Sequence, residues 1–213
     1  TSQSEMLKKL ELPFKDFEKL SGYCARKGVD FISTAFDPIS LDFVASLKPA
    51  CFKWASGELT NKPLLMQAAS YNTPILLSTG MGQMTEIEEA AAWIGEATPI
   101  VLLQCVSDYP AAPSDQNLRV LKQLAKQFGC PVGFSDHTIG PTSAIAARAL
   151  GMSVLEKHFT LDKNSVGPDH RASTEPKEFR ALVDNIRLVE AALGDGVKLI
   201  TASEFSTSKV ARK

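Results

Sequence analysis

Apolar and polar positions alternate in two rhythms along the chain. Short apolar runs recur, and each is followed by a longer stretch with apolar positions at helical spacing. The runs Phe31-Ile32-Ser33, Phe52-Lys53-Trp54, Ile75-Leu76-Leu77, Ile100-Val101-Leu102-Leu103, Val132-Gly133-Phe134 and Val154-Leu155-Glu156 predict six strands. Helices are predicted over Phe14–Lys27, ending near Gly28, and over Asn117–Phe128, Thr142–Leu150 and Pro176–Leu193. A further helix starts at Thr85, whose hydroxyl caps Glu86-Ile87-Glu88-Glu89 and places carboxylates where the helix dipole favours them. Strands alternating with helices specify an α/β fold on a parallel sheet. Six βα units behind a leading helix match a (β/α)8 TIM barrel of which about six of the eight units lie in this chain, two N-terminal strands having no counterpart. An open six-stranded α/β sheet is the alternative. Composition breaks only in the first dozen residues and after Gly196, which reads as one domain over 1–200 with 201–213 opening a linker.

With 213 residues, 44% hydrophobic and 22% charged, the chain can bury a sizeable core as a single globular domain. The net charge of −1 provides no summed positive field for nucleic acid or for an anionic membrane, so any anionic ligand must be held by local groups. Cys24, Cys51, Cys105 and Cys130 show neither CxxC spacing nor disulfide density, which suits a reduced, cytoplasmic protein. No apolar stretch approaches the roughly 20 residues that span a bilayer.

The candidate chemistry gathers just after the apolar runs, where a parallel α/β architecture builds its active site. Ser33-Thr34-Ala35-Phe36-Asp37, Ser56-Gly57-Glu58, Ser78-Thr79-Gly80-Met81, Ser107-Asp108-Tyr109-Pro110, Ser135-Asp136-His137-Thr138 and Lys157-His158-Phe159-Thr160 follow the six runs in turn. Hydroxyls, glycine turns and a lysine together suit a small ligand carrying phosphate and carboxylate, although any one of these Ser or Thr residues can equally cap a helix. Lys53 sits within an apolar run, where an ammonium needs an anion. Three roles stay open for it: a Schiff base, a structural ion pair, or a hold on a phosphate or carboxylate. His137 and His158 follow successive strands, so their imidazoles can converge on one divalent cation. Two histidines are few for zinc, and an octahedral ion such as Mn2+ or Mg2+ fits better, with water and substrate oxygens completing its shell. Glu58 can move a proton or hold sugar hydroxyls, and Asp169 lies in a loop, Val166–Arg171, able to reach over a barrel mouth.

Six ordered stretches carry a resemblance. They are Phe31-Ile32-Ser33-Thr34, Lys53-Trp54-Ala55-Ser56-Gly57-Glu58, Leu77-Ser78-Thr79-Gly80-Met81, Gly133-Phe134-Ser135-Asp136-His137-Thr138, Leu155-Glu156-Lys157-His158-Phe159-Thr160 and Gly167-Pro168-Asp169-His170. Over about Phe31 to Thr201 the chain resembles the sialic acid synthases, meaning N-acetylneuraminate synthase and its legionaminate and pseudaminate relatives. The resemblance implies a (β/α)8 barrel that condenses phosphoenolpyruvate with an N-acetylated hexosamine and releases phosphate by C–O cleavage. It also implies a divalent metal, commonly Mn2+ with Mg2+ or Co2+ as alternatives, and a homodimer for the full-length parent. His137 and His158 match the metal ligands; Lys53, Thr34, Ser56, Ser78 and Ser135 match the phosphoenolpyruvate positions; Glu58, Tyr109 and Asp169 match positions near the sugar. Lys53 and Glu58 are the expected catalytic pair, and Ser107 joins the substrate-binding set. At the fourth strand end Gln104-Cys105-Val106-Ser107 stands where the neuraminate enzymes tend to carry His-Cys-Thr-Asn, which leaves the sugar open. Residues 201–213 resemble the start of the linker to the family's C-terminal antifreeze-like domain. Two other functions compete: a Schiff-base aldolase working through Lys53, and a non-catalytic sugar-binding or assembly fragment.

Overall fold

The computed structural model describes residue 8 and residues 10–212, so the outermost residues of the two predicted segments, 1–200 and 201–213, lie outside the described residues. Five strands form one sheet: β1 (Phe52–Trp54), β2 (Ile75–Ser78), β3 (Ile100–Cys105), β4 (Val132–Asp136) and β5 (Val154–Lys157). All neighbours are parallel and the strand order is the chain order, β1-β2-β3-β4-β5. A doubly wound sheet reverses its order at a switch point, whereas a sheet that keeps chain order winds in one direction, as a barrel does.

The helices in chain order are α1 (Phe14–Lys27), α2 (Pro38–Ser46), α3 (Lys62–Ser70), α4 (Met84–Ile94), α5 (Val120–Phe128), α6 (Thr142–Ala149), α7 (Pro176–Leu193) and α8 (Phe205–Ala211). Strand pleating sends alternate side chains to opposite faces. Phe52, Trp54, Ile75, Leu77, Leu102 and Phe134 join the helix faces in the core, all nearly inaccessible to solvent. Each such side chain contributes about 1.5–3 kcal/mol by leaving water. Gly133 lets β3, β4 and β5 close up, since a methyl group there would stand 2.7 Å from the Val154 carbonyl oxygen.

The sheet is strongly curled. Lys53 on β1 and Glu156 on β5 are four strand spacings apart, about 19 Å on a flat sheet, yet their charged atoms lie 3.5 Å from each other. Two side chains cannot span that gap, so the concave face must bend round as part of a barrel wall.

Three expectations are corrected. Phe31–Ser33 is not a strand, and among the described residues five strands stand where six were expected. An apolar run becomes a strand only when its backbone finds partners in register. Among the described residues Phe31–Ser33 makes no ladder, and Phe31 instead meets the Phe17 ring edge-on at 6.4 Å. Thr85, expected as the cap of its helix, lies inside it: the helix begins at Met84 and the cap is Gln83, two residues earlier, whose N–H reaches the Glu86 carboxylate at 2.7 Å. The helix expected from Asn117 starts at Val120, since Asn117 has φ 41°, outside the right-handed region. Helices α2 and α3 were not singled out, although both carry legible starts. Asp37 precedes Pro38 and accepts the Ser40 N–H at 2.9 Å; Asn61 caps α3. Asp37, one of the polar residues after the first run, is therefore a helix cap.

Candidate active site

The C-terminal ends of all five strands open onto one cavity of about 270 Å³, lined by Thr34, Lys53, Ala55, Ser56, Ser78, Cys105, Tyr109, Ser135, His137, Glu156, Lys157 and His158. That volume lies near the lower end of small-ligand sites, about 300–1,000 Å³. Eight expected site residues meet there: Thr34, Lys53, Ser56, Ser78, Tyr109, Ser135, His137 and His158.

On the anionic-ligand side, Lys53 alternates with buried Phe52 and Trp54 and so points into the concavity. Its Nζ donates to Ser78 Oγ at 2.9 Å and to the Trp54 carbonyl at 3.0 Å, with Glu156 Oε1 at 3.5 Å. The lysine side chain is 12% exposed and that of Glu156 is 41% exposed, so the ammonium is enclosed while its carboxylate partner faces the open space. Ser56 Oγ accepts the Gly80 N–H at 2.9 Å, which leaves the serine's own O–H free to donate.

The imidazoles line the same cavity. Ring centroids of His137 and His158 are 5.3 Å apart at 85°, and Tyr109 packs on both, at 4.2 and 5.5 Å. His137 Nδ1 lies 2.7 Å from the Val106 carbonyl, an obligate acceptor, so this nitrogen carries the proton and Nε2 offers its lone pair. Cys105 Sγ stands 4.0 Å from the same Nδ1, a longer contact beside the one to Val106. Burial opposes protonation of His137, but the Cys105 sulfur and the Val106 carbonyl outweigh it and hold the pKa above the ordinary imidazole value. Burial and then the neighbouring His137 push the pKa of His158 down.

Two imidazoles, one with its second nitrogen fixed by a backbone carbonyl, fit the usual way a protein presents histidine to a divalent cation. Among the described residues no cluster of three His, Cys, Asp or Glu side chains takes ligating geometry, so the rest of a coordination shell would fall to water and substrate oxygens.

Three expected residues lie outside the lining. The Glu58 carboxylate accepts Asn61 Nδ2 at 2.6 Å in the turn after β1. Asp169 approaches from its loop, its Oδ2 3.9 Å from His158 Nδ1. Ser107 packs beneath Gly80, next to Ser56. Gln104, the first residue of the departing stretch, donates to the Gln116 carbonyl at 3.0 Å and is not among the lining residues. Glu156 and Cys105 line the cavity without having been singled out. The signal for Glu156 was its period-two spacing from His158, the same spacing that puts Ser135 with His137.

Residues 1–198 match the model of the NeuB family. The chain belongs to that family. It is 43% identical over 216 residues to N,N'-diacetyllegionaminic acid synthase of Campylobacter jejuni, covering 100% of this chain and 65% of the relative. It is 37% identical over 202 residues to N-acetylneuraminate-9-phosphate synthase of Mus musculus, covering 94% and 56%. Among solved structures, N-acetylneuraminic acid (sialic acid) synthetase of Leptospira borgpetersenii, in complex with citrate, matches with a TM-score of 0.91 and 32% identity over 98% of this chain and 75% of that one. This NeuB-family chain thus spans less than two thirds of the length of either curated relative. Among the described residues no helix is long and apolar enough to cross a membrane.

Proposed function

We propose that this chain carries the reaction core of a cytoplasmic synthase that joins phosphoenolpyruvate to an N-acetylated hexosamine, making a nonulosonic acid and releasing phosphate. The core would be part of a closed (β/α)8 barrel, with residues 201–213 leading out of it. The observation that carries the reading is one cavity lined both by an enclosed ammonium and by two neighbouring imidazoles.

Lys53 and the hydroxyls of Thr34, Ser56, Ser78 and Ser135 take the phosphate and carboxylate, each short donor gaining strength from the ligand's charge. His137 and His158 would hold a divalent cation, Mn2+ by preference, which supplies a Lewis acid that polarises the sugar aldehyde. With the aldehyde positioned, C3 of the enol attacks its carbon, the C=O π pair passes to the aldehyde oxygen, which takes up a proton to become a hydroxyl, and positive charge develops at C2. Water adds at C2, and Glu156, facing the cavity beside Lys53, is placed to accept its proton. The tetrahedral adduct then breaks its C2–O bond to phosphate, whose charge Lys53 balances. Tyr109, with Asp169 beside His158 and Glu58 in the turn after β1, would meet the larger sugar.

Lys53 meets a carboxylate, a hydroxyl and a carbonyl, three acceptors suited to an ammonium, which argues against an amine nucleophile. Borohydride with pyruvate should leave the chain unlabelled. The direct test is phosphate release from phosphoenolpyruvate with a panel of N-acetylated hexosamines and Mn2+, beside calorimetry of phosphoenolpyruvate on wild type and Lys53→Ala. Equal binding by the two proteins removes the lysine from the anion site.

A further inference from the structure

A second lysine beside the cavity has a different surrounding. Lys157 turns its ammonium to the helix side, where it donates to Asp136 Oδ2 at 2.7 Å and to the Thr138 carbonyl at 2.8 Å. The two charged side chains are 2% and 0% exposed. The other carboxylate oxygen accepts the Thr138 N–H at 2.8 Å and the Thr138 hydroxyl at 2.7 Å. Both charges in this group are answered within it, so although Lys157 is one of the lining residues its ammonium is already engaged.

Its place in the ladder is informative. Asp136 and Lys157 are the last register partners of β4 and β5, and His137 and His158 each come one residue later. Beyond that rung no ladder hydrogen bond ties the two strand ends together. The ion pair takes the place of the missing rung: Lys157 grips residues 136 and 138, on both sides of His137, while its own backbone leads directly into His158. Side chains alternate faces, so a clasp on the helix side leaves both imidazoles pointing inward.

We propose that Lys157 and Asp136 are positioning residues, a buried clasp that fixes the mutual geometry of His137 and His158. The second part of the test rests on the reading of these imidazoles as a cation site. Removing one partner alone leaves a buried charge unanswered and can cost the fold. The double variant Lys157→Met/Asp136→Asn removes both charges and keeps an amide oxygen for Thr138, so it decides the matter.

Imidazole nitrogen spectra of the metal-free chain should show His137 fixed with the proton on Nδ1 in wild type and averaging between tautomers in the double variant. Titration with Mn2+ should show affinity lower by about 10- to 100-fold, the range for groups that orient metal ligands. Calorimetry with phosphoenolpyruvate alone should stay within about twofold, because Lys53 is anchored on β1 and Ser135 is held inside the ladder between Cys105 and Glu156; a general loosening of the fold would lower both affinities together. An unchanged His137 tautomer in the double variant overturns the clasp, as does unchanged Mn2+ affinity. A double variant without a cooperative unfolding transition also overturns it, since the pair would then hold the fold and not the site. A wild-type chain that binds no Mn2+ defeats the cation-site reading by itself, and the tautomer comparison still judges the clasp.

Discussion

Gly80→Ala tests whether the hydroxyls around Lys53 are a built anion site. A methyl group on Gly80 would stand 2.5 Å from Ser107 Oγ, 2.8 Å from Ser56 Oγ and 3.1 Å from Cys105 Sγ. Ordinary contact begins near 3.4 Å, so the two hydroxyl oxygens must retreat by about 0.9 and 0.6 Å. Both belong to short side chains that can retreat only by turning about χ1, and Ser56 loses its bond from the Gly80 N–H when it turns. Overpacking of this kind costs about 1–3 kcal/mol of stability. Losing one hydrogen bond to a charged ligand costs about 1.5–3 kcal/mol, roughly a 10- to 150-fold drop in phosphoenolpyruvate affinity. Adding Ser107→Ala removes the closest clash but not the one with Ser56, so thermal stability should recover in part while affinity stays low. Calorimetry and thermal melts read the two quantities separately. Wild-type phosphoenolpyruvate affinity in Gly80→Ala would show that Ser56 does not contribute to the anion site.

Glu156→Gln should bind phosphoenolpyruvate equally or a few fold more tightly, because a partly exposed carboxylate no longer competes for Lys53, while phosphate release falls sharply; weaker binding with normal turnover would contradict this. Glu58→Ala should cost about 0.5–1 kcal/mol in a melt, since Asn61 loses its partner next to the α3 cap. Its phosphoenolpyruvate affinity should hold within about twofold while the sugar KM rises. Affinity for Mn2+ should rise with pH. The cation must displace a proton from His137, whose pKa is raised, so below that pKa affinity falls by about tenfold per pH unit. His158, its pKa pushed down by burial and by His137, takes up its proton at lower pH than His137 does and steepens the slope there. A flat Mn2+ titration over about pH 5–8 would exclude the imidazoles as ligands.

The five strands that form were legible as short apolar runs, and those from β2 to β5 are each followed by a helix whose pattern could be read, as at the one that ends at Gly129 after β3. Phe31–Ser33 has the same local pattern and no ladder, because pairing depends on a neighbour's backbone, which no local pattern reports. The α2 and α3 starts were written locally, in Asp37-Pro38 and Asn61-Lys62-Pro63, but they fall in stretches too short for helical periodicity to stand out. Turn residues such as Asn117 shift helix boundaries by a few positions for a similar reason: their φ is set by the loop, not by the apolar spacing.

The candidate site divides along the same line. Which residues stand at strand ends follows from the chain alone, and so His137, His158, Ser78 and Ser135 could be named from it. What stands across the cavity does not. Glu156 and Lys53 are neighbours only because five twisted parallel strands bend far enough to bring β5 round to β1. The inverse case is Lys157, which lies one residue from Glu156 and by type looks equally fit to hold an anion. Pleating sends it to the opposite face, into the Asp136 carboxylate. Charge type names candidates, strand parity sorts them to a face, and curvature decides which of the inward ones meet. The first two can be read along a sequence; the third belongs to the whole sheet.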